Sequence, residues 1–134
     1  MKEYIYKLQT KDFYMAVDSF FSIDKSLPEF FHYVWEYKVT LKNKSKTPIS
    51  ILKSNWTVVD ILGRTITLDD SSMIGRTQIV LPDEVFEYTY LAPLSSPMGM
   101  LNGWYDIEDQ TGNKQTYKAP VVSLDSPFHD MLVN

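Results

Sequence analysis

The side chains that could do chemistry in this chain are few and scattered. Arg64 and Arg76 flank a short segment holding Asp69, Asp70, Ser71 and Ser72. At one end of a sheet, two guanidinium groups could grip a phosphate or a partner's carboxylate through charge-assisted hydrogen bonds. For arginines in hairpin loops, however, the expectation is solvated charge. His32 and His129 are the only histidines. They lie too far apart to form a local catalytic or metal-binding motif and read as surface groups. The acidic pairs Asp69-Asp70 and Glu108-Asp109 offer hard oxygen ligands for Mg²⁺ or Ca²⁺. No D-x-D-x-D-G loop or H-E-x-x-H sequence accompanies them, and acids in hairpin loops commonly serve solvation and Asx turns. No metal site and no cofactor are expected.

Nucleophilic catalysis is equally short of parts. There is no cysteine, which removes thiolate nucleophiles, thiolate zinc sites and disulfides together. Ser95-Ser96 precedes a proline outside any G-x-S-x-G pattern, and a serine needs a base and an oxyanion hole before it is more than polar filler. Glu87, Asp106 and Glu108 fall in strand-like segments, where acids usually form the wet face of a sheet. The expectation is a protein without catalytic activity. A formal net charge of −4 argues against nucleic-acid binding, which needs basic surface to neutralise phosphates. No apolar run approaches the ~20 residues that span a bilayer. The first residues, MKEYIYKLQTKDFYM, contain no apolar signal-peptide region. No membrane association and a cytoplasmic location are therefore expected.

The elements that must position these groups are strands. From Tyr33, every second residue is apolar through Trp35, Tyr37, Val39 and Leu41, while Glu36, Lys38, Thr40 and Lys42 lie between them. That period predicts a long strand with one dry and one largely wet face. Asn43 to Pro48 reads as a polar turn. Ile49 to Val59 and Thr65 to Leu68 read as an antiparallel pair about the Asp60–Arg64 hairpin loop. Ile79 to Leu81 reads as a short buried strand before the Pro82-Asp83 turn. The next strand carries Val85, Phe86, Tyr88 and Tyr90. Ala92 to Met100 reads as a loop or crossover, because it holds two prolines and two serines. Gly103 to Glu108 and Lys114 to Ala119 flank a five-residue hairpin loop. Pro120 is expected to open the last strand, Val121 to Leu124. Phe13 to Phe21 is strand-like, Asp24 to Glu29 reads as a loop, and the first dozen residues could add an edge strand. Seven or eight strands in an all-β chain suggest a sandwich or a small barrel, with the three tryptophans as core anchors. Length and the lack of a linker predict a single domain over residues 1–134.

Over residues 15–124 the chain resembles the ApaG family, with residues 1–14 and 125–134 as terminal extensions. Ser96-Pro97-Met98-Gly99-Met100-Leu101-Asn102-Gly103-Trp104-Tyr105 resembles the family's T-P-x-G-x-M-x-G-x-Y block, with Ser for Thr and Leu for Met. The strand YKVTLKN, then Trp56, Asp60, Gly63, Pro82, Phe86, Tyr88, Gly112 and Pro120-Val121, follow in the family's order. The resemblance implies a fibronectin type III-like, immunoglobulin-like antiparallel β-sandwich, and at this length the stand-alone bacterial form. It also implies a link to divalent cation tolerance and binding of pyrophosphate at a G-x-G-x-V-G-x-x-P loop.

The matching segment here is Asp70 to Gln78, where only Gly75 keeps a family glycine. Asp70 and Ser72 occupy the first two glycine positions, and Gln78 that of the proline. Gln115 stands where the family has an aromatic. By resemblance the ligand-binding candidates are Gly75, Arg76, Arg64 and Ser72. The functional expectation is a non-catalytic binding module with an unidentified protein partner. The alternative is a regulatory protein that binds pyrophosphate or a nucleotide, weakly because of the altered loop.

Overall fold

The computed structural model describes residues 6–68 and 77–128. Ten strands run β1 (Tyr6–Gln9), β2 (Phe13–Leu27), β3 (His32–Asn43), β4 (Ile49–Asp60), β5 (Thr65–Leu68), β6 (Gln78–Val80), β7 (Val85–Leu94), β8 (Met98–Glu108), β9 (Lys114–Lys118) and β10 (Val122–Asp125). One turn of 3₁₀ helix, Pro28–Phe30, joins β2 to β3. The first sheet has the order β1-β2-β3-β7. The second is built on the central pair β8-β4. Its two outer positions are each shared by two short strands, β10 and β9 beside β8, and β5 and β6 beside β4. The ten strands among the described residues thus fill eight positions, and every described pairing is antiparallel. The sandwich expected from the sequence is the observed fold.

β3 follows its alternation. Tyr33, Trp35, Tyr37, Val39 and Leu41 are all buried between the sheets. On the other face, Lys38 lies 2.9 Å from Glu87 across the β3–β7 pair, with both side chains substantially exposed. Exposed pairs of this kind contribute little after solvent screening. Lys38→Ala is expected to change unfolding free energy by less than about 1 kcal/mol in a urea titration.

Trp56 lies wholly buried at the centre of the core. Its indole N–H donates to the hydroxyls of Tyr105 at 3.0 Å and Tyr88 at 3.2 Å. The Tyr37 ring packs against it with centroids 5.3 Å apart. Gly103 is its cross-strand neighbour on β8. A Cβ at Gly103 would stand 2.6 Å from the indole Cε3 and 2.7 Å from the Asn55 carbonyl oxygen. Glycine there serves close approach of the indole.

Several sequence expectations need correction. Asp24 to Glu29 is not a plain loop, because β2 continues to Leu27 through a register shift after Ser22. Asn43 ends β3 and is completely buried. Its side-chain amide donates to the carbonyls of Thr47 and Val80 at 2.8 and 2.9 Å, so a nominal turn residue ties the β3–β4 turn to the end of β6. Of Ile79, Val80 and Leu81, only Val80 is buried, since β6 is an outer strand with one face on the core. The Ala92–Met100 crossover shrinks to Ser95–Pro97, because β7 and β8 extend into it from both sides. Val122, rather than Val121, opens the last strand. Trp104 is half-buried on the outer side of β8, while its neighbour Tyr105 takes the core position.

Candidate functional site

The alternation of β4 ends at Asp60, and the next four residues turn the chain into β5. Gly63 makes the turn at φ +85°, where glycine avoids the strain of a left-handed conformation. Asp60 is 6 % exposed, so its carboxylate must be matched by donors. Oδ1 accepts the backbone N–H of Leu62 at 2.9 Å and of Arg64 at 3.0 Å. Oδ2 accepts Arg64 Nε at 2.7 Å and Ser95 Oγ at 3.0 Å. Burial pushes this carboxyl up. The Arg64 and Leu62 amides, the Ser95 hydroxyl and the Arg64 charge outweigh it and hold the pKa below the usual aspartate value.

The same staple reaches the crossover. Ser96 is buried and donates to the Met98 carbonyl at 2.8 Å, while accepting the Ile61 N–H at 3.3 Å. Among the described residues Ser95 and Ser96 therefore serve as structural donors. Ile61 and Leu62, carried on this hairpin, are 50 % and 68 % exposed. Beside them a shallow pocket of about 210 Å³ is lined by Ile61, Met98, Gly99, Met100 and Leu124, with Asp60 and Asp125 at its margin.

The β2–β3 connection stands at the same end of the sandwich. Tyr33, just after it, pairs with Leu94, just before Ser95. This end, called the upper end below, thus gathers the β2–β3 tip, the Asp60–Arg64 hairpin, the Ser95–Pro97 crossover and the chain from Ser126 to Phe128. Ser126 N–H donates to the Pro97 carbonyl at 3.0 Å.

The sequence-derived candidates separate here. Arg64 is half exposed and bound to Asp60, so an anion would compete with a buried carboxylate for its guanidinium. Ser72, Gly75 and Arg76 lie outside the described residues, as do Asp69, Asp70 and His129. The described ends of that segment are Leu68, opposite Trp56, and Gln78, opposite Ile51. Arg64, opposite Asp60, belongs to the far end of β4 from Gln78. His32 is exposed at the start of β3.

The strand acids have ordinary partners. Asp106 accepts the Thr116 hydroxyl at 2.6 Å, and Glu108 lies 3.9 Å from Lys114. A hydrogen bond from Lys38 holds Glu87 below the usual glutamate pKa. Asp109 is held low chiefly by the Thr111 hydroxyl within its own hairpin turn. Among the described residues no group of three or more His, Asp or Glu converges as a metal site would require.

Sequence reading took Asp60 as a family-matching hairpin residue and Arg64 as an anion-binding candidate without pairing the two, although an acid four residues before an arginine, with glycine between, is a legible staple. It also passed over Phe30-Phe31, an aromatic pair in a polar stretch with no alternation to bury it.

Residues 24–123 match the ApaG domain family model. The chain is 32 % identical over 130 residues to Protein ApaG of Paramagnetospirillum magneticum, covering 97 % of this chain and all of that protein. It is 30 % identical over 123 residues to Protein ApaG of Agrobacterium fabrum, covering 92 % of this chain and 95 % of that one. Among solved structures, a Bordetella pertussis protein described as ApaA superposes with a TM-score of 0.79 at 25 % identity, over 87 % of this chain and 94 % of that one. Sequence, fold and the Ser96–Tyr105 block that frames Trp56 agree, and the chain belongs to the ApaG domain family.

Proposed function

We propose that this protein is a non-catalytic binding module that engages another protein through the upper end of its sandwich. The observation that carries this reading is the concentration of exposed apolar side chains there. Ile23, Phe30, Phe31 and Leu62 are each about 70 % exposed, at 70 %, 72 %, 70 % and 68 %. Large apolar side chains left exposed together at one end mark surfaces that become covered. The hairpin carrying Leu62 is fastened by the Asp60 and Ser96 hydrogen bonds, and the tip carrying Ile23, Phe30 and Phe31 by the Ser26 hydroxyl at its base, so little order remains to be imposed when they are covered. The acids described above are committed to hydrogen bonds and ion pairs within the fold, as a binding scaffold requires.

The test has two arms. Affinity-tagged protein should retain a stoichiometric partner from a lysate of its source cells, and Leu62→Ser should weaken that retention without lowering the melting temperature. Incubation with dinucleoside polyphosphates or pyrophosphate and Mg²⁺, Mn²⁺ or Co²⁺ should give no turnover. Turnover that survives repurification and vanishes on a point substitution would overturn the non-catalytic reading. A melting temperature raised by pyrophosphate alone would favour a small-anion binder instead.

A further inference from the structure

Resting on that reading, we infer that the β2–β3 tip is the anchor of the interface, and that its partner is a protein surface with an apolar cleft rimmed by lysine and arginine side chains. The tip is built to hold its apolar groups outward. After the register shift in β2, Ser26 turns inward and is buried. Its hydroxyl donates to the Ser22 carbonyl and accepts the Val34 N–H at 2.8 Å, closing the base of the tip. That base rests on rings: Phe21 against Trp35 at 5.4 Å, and Phe128 against Phe21 at 5.9 Å and Tyr33 at 6.4 Å. Beyond it, Pro28 fixes the start of the 3₁₀ turn, and the Phe31 N–H closes the turn onto the Pro28 carbonyl at 3.0 Å. Ile23, Leu27, Phe30 and Phe31 then stand in solvent.

Phe31 has φ +57°, ψ +42°. This left-handed conformation is uncommon and strained for a residue with a Cβ. Glycine would meet the same turn without strain, and burial of the Phe31 ring offers no compensation within the chain. The strain is explained if the ring is buried against another molecule.

Charge decides what kind of molecule. Lys25 is the only Lys or Arg between Ile23 and His32. Its ammonium is held 2.7 Å from Glu36. Asp24 and Glu29 form no ion pair among the described residues and flank the apolar groups with negative charge. A basic rim complements them and speeds encounter. An anionic bilayer would be repelled. A second copy docked tip to tip about a two-fold axis would set Asp24 and Glu29 against their own equivalents.

The test places p-benzoylphenylalanine at position 31, or at position 115 on exposed β9 as a control, in the full chain expressed in its source cells. Irradiation should link position 31 to one protein through a peptide containing apolar residues flanked by Lys or Arg. With that protein purified, Phe30→Ser with Phe31→Ser should weaken binding about 30-fold or more, the scale of interface hot spots. Phe31→Gly relieves the backbone strain, so it should keep or raise the melting temperature and still weaken binding. Asp24→Lys with Glu29→Lys should weaken binding at low salt and do so less at high salt. Crosslinks from position 115 alone would leave a binding module and remove the tip as its anchor. Crosslinks between two copies of this chain, or flotation with anionic phospholipid vesicles that needs Phe30 and Phe31, would overturn the stated partner. No crosslink at either position would overturn both readings.

Discussion

Trp56→Ala is expected to cost about 3–5 kcal/mol of folding stability, the range for emptying a large core aromatic. At roughly 4 °C per kcal/mol for a chain of this length, the melting temperature should fall by more than about 10 °C. The indole contributes in three ways. It is wholly buried, it packs on Tyr37 and Tyr105, and its N–H serves the hydroxyls of Tyr88 and Tyr105. Tyr88 is on β7 of the first sheet, while Trp56 and Tyr105 are on β4 and β8 of the second, so the Tyr88 hydrogen bond crosses from one sheet to the other. Trp104→Ala is the matched control. The same residue type, half-buried on the outer side of β8, should cost less than half as much.

Gly103 makes the prediction sharper. Gly103→Ala brings a Cβ against the indole and the Asn55 carbonyl, an overpacking that should cost about 1–3 kcal/mol. In the Trp56→Ala background the ring is gone and only the carbonyl contact remains, so the alanine should cost less there. A double-mutant cycle by urea titration reads this coupling directly. Strict additivity would mean that Gly103 is required for backbone reasons unconnected with Trp56. A Trp56→Ala protein that melts with the wild type would remove Trp56 from the centre of the core.

The β3 alternation was legible because each inward residue is large and apolar and most outward ones are charged or polar. β7 was legible from its aromatic residues, and Phe86, Tyr88 and Tyr90 pack partly buried against the core. It failed where an exception is settled in three dimensions. Val34 sits at an outward position but is buried, its N–H bound to Ser26 beyond the register shift. Asn43 looks like a turn residue because its value to the fold lies in Thr47 and Val80, the second of them far away in sequence. Proline and serine between Ala92 and Met100 did mark a crossover. They could not show that it is only three residues long, because β8 holds Gly99 and Gly103 where close packing, rather than a turn, demands them. For a binding site, the sequence pointed to arginines and a glycine-poor loop, of which Arg64 is the part described at the upper end. The groups that define that end in space are an ionised aspartate and an exposed phenylalanine pair, and single-residue chemistry ranks neither highly. Asp60 matters through four donors that converge only on folding, and Phe30-Phe31 through being left uncovered.

Asp60→Ala should lower stability at neutral pH by about 2–3 kcal/mol, because it leaves part-buried donors from Leu62, Arg64 and Ser95 without an acceptor. Asp60→Asn keeps a carbonyl oxygen that can still accept the Leu62 and Arg64 N–H groups, so it should cost less. The pH dependence separates charge from shape. Asp60 has a folded pKa below its ordinary value, so its ionised form stabilises the fold above the unfolded aspartate pKa of about 3.9. That contribution is lost as pH falls through the lower, folded value. Glu87 and Asp109 are also held low, but they remain in both proteins and cancel in the comparison. The gap between wild type and Asp60→Asn, measured by urea titration, should therefore be largest above about pH 5 and should narrow below about pH 4. A gap of constant size across that range would show that the carboxylate's charge contributes nothing. Amide exchange gives the structural readout: the Leu62 and Arg64 N–H groups should lose protection in Asp60→Ala, which removes their acceptor, while the Trp56 amide keeps it. If those two amides stay protected, the hairpin is held by its own turn geometry and Asp60 is not its staple. If they open, Leu62 should lose its fixed position, and partner binding through the upper end should weaken in the same variant.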